Sequence, residues 1–160
     1  MSENSPLQDK VVLSVDDEAD VLEAIEELLD MCPVVRKSTY EDAANYLKTN
    51  RPDLAILDIM GVNGFDLLKQ CVEKKVPAVM LTAHAFTVEA LKKSLDLGAR
   101  AYLPKEKIAD MVPFLEDVLT GGHQETWQRL FDRLGEFFNA TFGRKWHKDL
   151  IEIGPFIVPD

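Results

Sequence analysis

Short runs that are almost wholly apolar alternate along the first three quarters of the chain with longer segments whose apolar residues recur every three to four positions. The runs are Val11-Val12-Leu13-Ser14-Val15, Val34-Val35, Leu54-Ala55-Ile56-Leu57, Ala78-Val79-Met80-Leu81 and Ala101-Tyr102-Leu103. Their brevity and lack of polar alternation predict strands buried on both faces. The intervening period predicts helices near 18–31, 40–50, 64–75, 86–97 and 107–120, with Gly98 as a C-terminal stop and Pro52 and Pro77 as breaks before strands. Strands joined by crossover helices run parallel, so the pattern reads as five βα units of one α/β sheet. Pro113 sits inside the fifth helical segment, where it would remove a hydrogen bond and clash with the preceding turn, which predicts a kink or a late helix start.

After Gly121-Gly122 the pattern changes. Trp127, Leu130, Phe131, Leu134, Phe137 and Phe138 fall on one helical face, and Arg129, Asp132, Arg133 and Glu136 on the other, predicting an amphipathic helix near 124–140 with a mild weakness at Gly135. Seven of the thirteen aromatic residues lie in 121–160, and they need cover. Three arrangements supply it: packing back onto the chain's own sheet and helices, a homodimer through 124–140, or contact with a membrane surface. The last is the weakest, because the polar face is not basic enough to attract anionic lipid strongly.

A chain of 160 residues, 46% hydrophobic and 29% charged, fits one soluble domain with a short appendage, here 8–120 followed by a helical extension over 121–160. The net charge of −10 would repel a phosphate backbone, so no direct nucleic-acid binding is expected. Neither a basic, apolar leader nor a run of about 18 apolar residues occurs, and a cytoplasmic location is expected. Cys32 and Cys71 are far apart and lack metal-ligand spacing, as do His123 and His147. The cysteines read as reduced core residues and the histidines as surface residues.

Chemistry is expected where parallel strands end at their carboxyl edge. There the sequence places Asp16-Asp17, Asp58, Thr82 and, after Pro104, Lys105. If the first strand lies between the second and third, with the fourth and fifth following, these side chains converge on one crevice. Two carboxylates about 4 Å apart repel by about 4 kcal/mol at an effective dielectric near 20, so such a cluster needs a cation. A hard divalent ion such as Mg²⁺, together with the Lys105 ammonium, would supply it, and Thr82 adds a hydroxyl for an anionic oxygen. Singly, each residue has a bland reading: Asp16, Asp17 and Glu18 as helix capping, Asp58 as a turn, Thr82 as a cap, Lys105 as a solvated charge. Together, at successive strand ends, they favour a site.

At Val15-Asp16-Asp17-Glu18, Leu57-Asp58-Ile59-Met60, Leu81-Thr82-Ala83 and Gly98-Ala99-Arg100-Ala101-Tyr102-Leu103-Pro104-Lys105 the chain resembles the receiver domain of two-component response regulators, over about residues 8–120. The resemblance implies a flavodoxin-like, doubly wound five-stranded parallel sheet in the order 2-1-3-4-5, with the C-terminal amphipathic helix appended. It implies that Asp58 accepts a phosphoryl group from a histidine kinase or phosphotransfer protein. By the same resemblance Asp17 and Asp58 would bind Mg²⁺ directly, Asp16 through water and Met60 through its carbonyl, while Thr82 and Lys105 hold phosphoryl oxygens. Tyr102 looks like the family's switch aromatic, expected to turn inward as Thr82 moves and so to reshape the fourth helix, fifth strand and fifth helix for a downstream protein. Otherwise it is a half-buried strand aromatic. His84 stands where receivers vary a side chain facing the attacking water, or is an exposed loop histidine without a role. The segment Met60-Gly61-Val62-Asn63-Gly64 is about two residues shorter than the usual receiver loop, which two glycines with positive φ would make feasible.

About forty C-terminal residues cannot house a usual winged-helix module, which points to signalling by protein contact. The acidic first helix reads as a solvated face or as an aid in selecting a basic partner. Two rival functions remain at this stage: a receiver-like scaffold that binds partners without phosphorylation, and an aspartyl-phosphate phosphatase. Such hydrolases usually carry the nucleophile after the first strand with a second Asp two positions on, unlike the adjacent Asp16-Asp17 and the separate Asp58.

Overall fold

The computed structural model describes residues 5–83 and 87–143. His84, Trp146, His147 and Phe156 lie outside the described residues. Five parallel strands, β1 (Val12–Val15), β2 (Val34–Lys37), β3 (Leu54–Asp58), β4 (Ala78–Thr82) and β5 (Ala101–Pro104), form one sheet in the order β2-β1-β3-β4-β5. This is the expected doubly wound order, and the order that brings the ends of β1, β3 and β4 side by side. Every residue of β1, β3, β4 and β5 is buried, as fully apolar runs require. The β2 strand differs. It is an edge strand with one flank toward solvent, unlike β5 at the other edge, which α6 packs against, so it continues through Arg36 and Lys37, two residues beyond the apolar pair that announced it.

The helices are α1 (Ala19–Leu28), α2 (Tyr40–Thr49), α3 (Gly64–Glu73), α4 (Val88–Asp96), α5 (Met111–Thr120) and α6 (His123–Phe142). Side-chain caps start α2 and α4: the Thr39 hydroxyl accepts from the Asp42 N–H and the Thr87 hydroxyl from the Ala90 N–H, each at 3.1 Å. The fifth helix begins late, as Pro113 requires. A 3₁₀ helix occupies Lys105–Asp110, and α5 starts at Met111. Pro113 is then the third residue of α5, in the first turn, where a missing N–H costs no intrahelical bond. Buried Cys71 has its thiol pushed up to about 12 by desolvation, and both cysteines are free thiols in the interior, as expected.

The aromatic face of α6 lies against its own α5 and β5. Trp127, Leu130, Phe131, Leu134 and Phe138 are buried there, and the Trp127 indole N–H donates to the Ala99 carbonyl at 2.7 Å. On the flank, Arg129 and Arg133 both reach Asp117 of α5, at 3.2 and 3.4 Å. Among the described residues no helix is long and apolar enough to cross a membrane.

Candidate functional site

β1 ends at Val15, and the chain turns immediately: the Asp16 carboxylate accepts the Glu18 N–H at 2.9 Å, which launches α1 one residue later. Asp58 is the last residue of β3, paired in register with Leu81, and Thr82 ends β4 beside Pro104. The sheet order therefore places Asp16, Asp58 and Thr82 on one edge, where they are 1%, 4% and 1% exposed. Polar groups this deep need partners. Lys105, the first residue of the 3₁₀ helix, reaches back into them: its ammonium lies 3.0 Å from Asp16, 3.3 Å from Asp58 and 2.9 Å from Glu18.

Asp17 completes the acidic set. Carboxylate oxygens of Asp16, Asp17 and Glu18 lie within 4.8 Å of one another, a spacing at which several oxygens can share one divalent ion. The connection from β3 to α3 roofs this group. Within it the Met60 carbonyl accepts from the Val62 N–H at 2.7 Å and the Ile59 carbonyl from the Gly64 N–H at 3.1 Å. The short loop closes with positive φ at Gly61 (+73°) and at Asn63 (+51°), so the two glycines do not share this task as the sequence reading held. Gly64 instead provides space, since a Cβ there would fall within 3 Å of the Asp58 carbonyl. At Gly61 a Cβ would fall within 3 Å of the Asp17 carboxylate. Gly64→Ala is therefore expected to cost about 1–3 kcal/mol or more by overpacking, and to weaken Mg²⁺ binding by lifting the loop. Urea melts with and without Mg²⁺ measure both effects, and an unchanged midpoint would show that the loop yields freely.

Burial first, then the neighbouring charge of Asp16, pushes the Asp58 carboxyl up to about 6, although Lys105 pulls the other way. Asp16 is raised for the same leading reason, partly offset by the Glu18 N–H and Lys105. For Lys105 burial alone would lower the ammonium pKa, but the bonds to Glu18 and Asp16 and the charges of Asp16 and Asp58 outweigh it and hold it above its usual value. An acid raised on folding is a destabilising charge above its folded pKa, and the penalty fades as pH falls through about 6 toward the unfolded value near 4. Asp58→Asn should accordingly stabilise the metal-free protein by about 3 kcal/mol at pH 7 and by little at pH 4. Chemical denaturation at the two pH values, with chelator present, checks the sign.

Tyr102 is fully buried rather than half-buried, with Asp58 unmodified. Its hydroxyl donates to the Thr87 carbonyl at 3.1 Å and accepts the Thr87 N–H at 3.0 Å, so it is tied to the N-cap of α4. Sequence reasoning missed Glu18 as a site residue, treating it as part of a solvated helix face. The signal was present in the unbroken Asp16-Asp17-Glu18 run, but its pairing with Lys105 spans 87 positions and appears only in the fold.

A family model for the response regulator receiver domain matches residues 12–114. Among curated proteins, the chain is 32% identical over 101 residues to the response regulator GtcR of Aneurinibacillus migulanus, covering 60% of this chain and 41% of that one. It is also 32% identical over 102 residues to the alkaline phosphatase synthesis transcriptional regulatory protein PhoP of Bacillus subtilis (strain 168), covering 60% and 42%. The matched part spans about two fifths of the length of these relatives. Among solved structures, a response regulator receiver protein from Burkholderia phymatum superposes with TM-score 0.62 at 28% identity, covering 71% of this chain and 97% of that one. The Mn²⁺-bound form of response regulator Rcp1 shares the fold with TM-score 0.60 at 22% identity, over 68% and 92%.

Proposed function

Since the chain belongs to the response regulator receiver family, we propose that it is a phosphorylation-controlled signalling module whose phosphoacceptor is Asp58. The observation that carries this reading is the Lys105 ammonium at 3.3 Å from a buried Asp58 and 3.0 Å from a buried Asp16. It is a fixed cation set at the carboxylate that would attack. Phosphoryl transfer asks mainly for alignment and charge neutralisation, and this cluster is built for both.

A carboxylate oxygen of Asp58 attacks the phosphorus of a phosphohistidine on a histidine kinase or phosphotransfer protein. An acyl phosphate O–P bond forms, the N–P bond breaks, and the imidazole departs with its electron pair. Lys105 gives up its bonds to Asp16 and Glu18 for a phosphoryl oxygen, and the Thr82 hydroxyl donates to another. An all-oxygen donor set suits Mg²⁺, and the family resemblance would have Asp17 and Asp58, with Asp16 through water and the Met60 carbonyl, hold it beside the Asp16, Asp17 and Glu18 carboxylates that lie together; when bound it neutralises charge on the transferring group. Each carbonyl has two lone pairs, so the bond from Val62 leaves Met60 able to act as a ligand. Phosphorylation replaces one charge at Asp58 by nearly two. Thr82 drawn toward it would pull on the segment that Tyr102 holds at Thr87, which carries the change to α4 and to a downstream protein. A cytoplasmic setting suits this exchange with a kinase.

Incubation with acetyl phosphate and Mg²⁺, followed by intact-mass measurement, tests the function. One added phosphoryl group is expected in the wild type, and none with chelator or in Asp58→Asn. No gain, or equal labelling of Asp58→Asn, would defeat it.

A further inference from the structure

One short segment reaches both the site and α6. The 3₁₀ helix Lys105–Asp110 carries Lys105 at its first position and Lys107 at its third. Lys105 lies among the carboxylates, while the Lys107 ammonium rests over the Phe137 ring of α6, 5.2 Å from its centroid. This segment has no buried residue and no side-chain cap. Six residues is long for a 3₁₀ helix, whose hydrogen bonds are poorly aligned. It connects β5 and α5 and is less buried than either.

Helix α6 is held unevenly. Its N-terminal half has the fully buried Trp127 and Phe131, the indole bond to Ala99, and the grip of Arg129 and Arg133 on Asp117. Gly135, a weak point in a helix, separates this half from the next. Beyond it Phe138 is buried, but Phe137 and Phe142 are only partly covered, and Phe137 meets Lys107 across the gap to the 3₁₀ segment. A cation over a partly covered ring is a weak attachment.

We propose that α6 is a phosphorylation-sensitive cover on the α5 and β5 face, anchored through Trp127 and loosened beyond Gly135 when Asp58 is phosphorylated. This rests on Asp58 being the phosphoacceptor. Lys105 leaves Glu18 and Asp16 for the phosphoryl oxygens, the 3₁₀ segment shifts with it, and Lys107 two residues on is drawn off Phe137. The half of α6 past Gly135 then frays and uncovers the apolar surface that Phe137, Phe138 and Phe142 lie against, while Arg133, ahead of Gly135, keeps its place over the Phe114 ring of α5 at 5.6 Å.

Amide hydrogen exchange of the whole chain, with Mg²⁺ and with or without beryllofluoride as a phosphoryl mimic, tests the coupling. On loading, amides of residues 136–142 are expected to exchange about tenfold faster or more, while those of 124–131 and of β1 and β3 hold their protection. Lys107→Ala should raise exchange at 136–142 to the loaded level without beryllofluoride, and should still gain one phosphoryl group from acetyl phosphate. Unchanged exchange at 136–142 while fluorine NMR shows beryllofluoride bound would overturn the coupling alone. Failure to bind beryllofluoride would instead remove the reading of Asp58, and the coupling with it.

Discussion

Lys105→Met is expected to destabilise the metal-free protein at pH 7 by about 3–5 kcal/mol, the usual cost of removing one partner from a buried ion pair. The Lys105 side chain is 11% exposed and bridges three carboxylates, but the three bonds are unequal. Glu18 is 54% exposed, so water already solvates it and its share is small. Asp16 and Asp58 carry the effect, because without the ammonium two buried carboxylates face each other with nothing between them. Asp58 is already pushed up to about 6 by burial and by Asp16, and losing Lys105 moves it higher. Protonation then relieves the repulsion, so the loss in Lys105→Met should shrink as pH falls from the variant's higher Asp58 pKa to about 6, and Mg²⁺ should offset part of it at pH 7. Urea denaturation across pH, with chelator and with Mg²⁺, measures this. A variant as stable as the wild type at pH 7 in chelator would show that the ammonium does not compensate the cluster.

The second large effect is expected at Trp127. Trp127→Ala removes a fully buried indole and should cost about 3–5 kcal/mol. The Ala99 carbonyl also loses its partner. Trp127→Phe keeps most of the apolar area and isolates the hydrogen bond, for which about 1–2 kcal/mol is expected. The difference between the two variants in urea melts separates packing from the indole bond. If Trp127→Ala melts with the wild type, the helix contributes nothing to the stability of the fold.

The sheet was legible because parallel strands are buried on both faces, and β1, β3, β4 and β5 are buried along their whole length and apolar save for Ser14 and the terminal Asp58 and Thr82. β2 was read short, since Arg36 and Lys37 look like loop residues until the sheet order shows an edge. The fifth helix was read too long at its start. Pro113 announced a boundary, but propensity does not distinguish a 3₁₀ run from the first turns of an α-helix, and only the structure shows Lys105–Asp110 as a separate element. Asp16, Asp17, Asp58, Thr82 and Lys105 could be found from sequence because each follows an apolar run and so falls at the same edge. Their arrangement was less accessible. The Glu18–Lys105 pair depends on chain reversal across the sheet, and the role of Gly64 depends on a backbone carbonyl six residues earlier that no side-chain pattern encodes. The aromatic stripe of α6 announced a helix in need of cover but not what covers it, since packing in cis and pairing between copies ask for the same spacing.

The proposed signalling role requires a phosphoryl group to arrive at one particular carboxylate. Borohydride trapping of the acyl phosphate after treatment with acetyl phosphate and Mg²⁺, followed by peptide mapping, locates it directly. The reduced residue should be found at position 58 and nowhere else. Trapping at Asp16, Asp17 or Glu18, or on a peptide outside the sheet edge, would contradict the arrangement of roles drawn from this cluster.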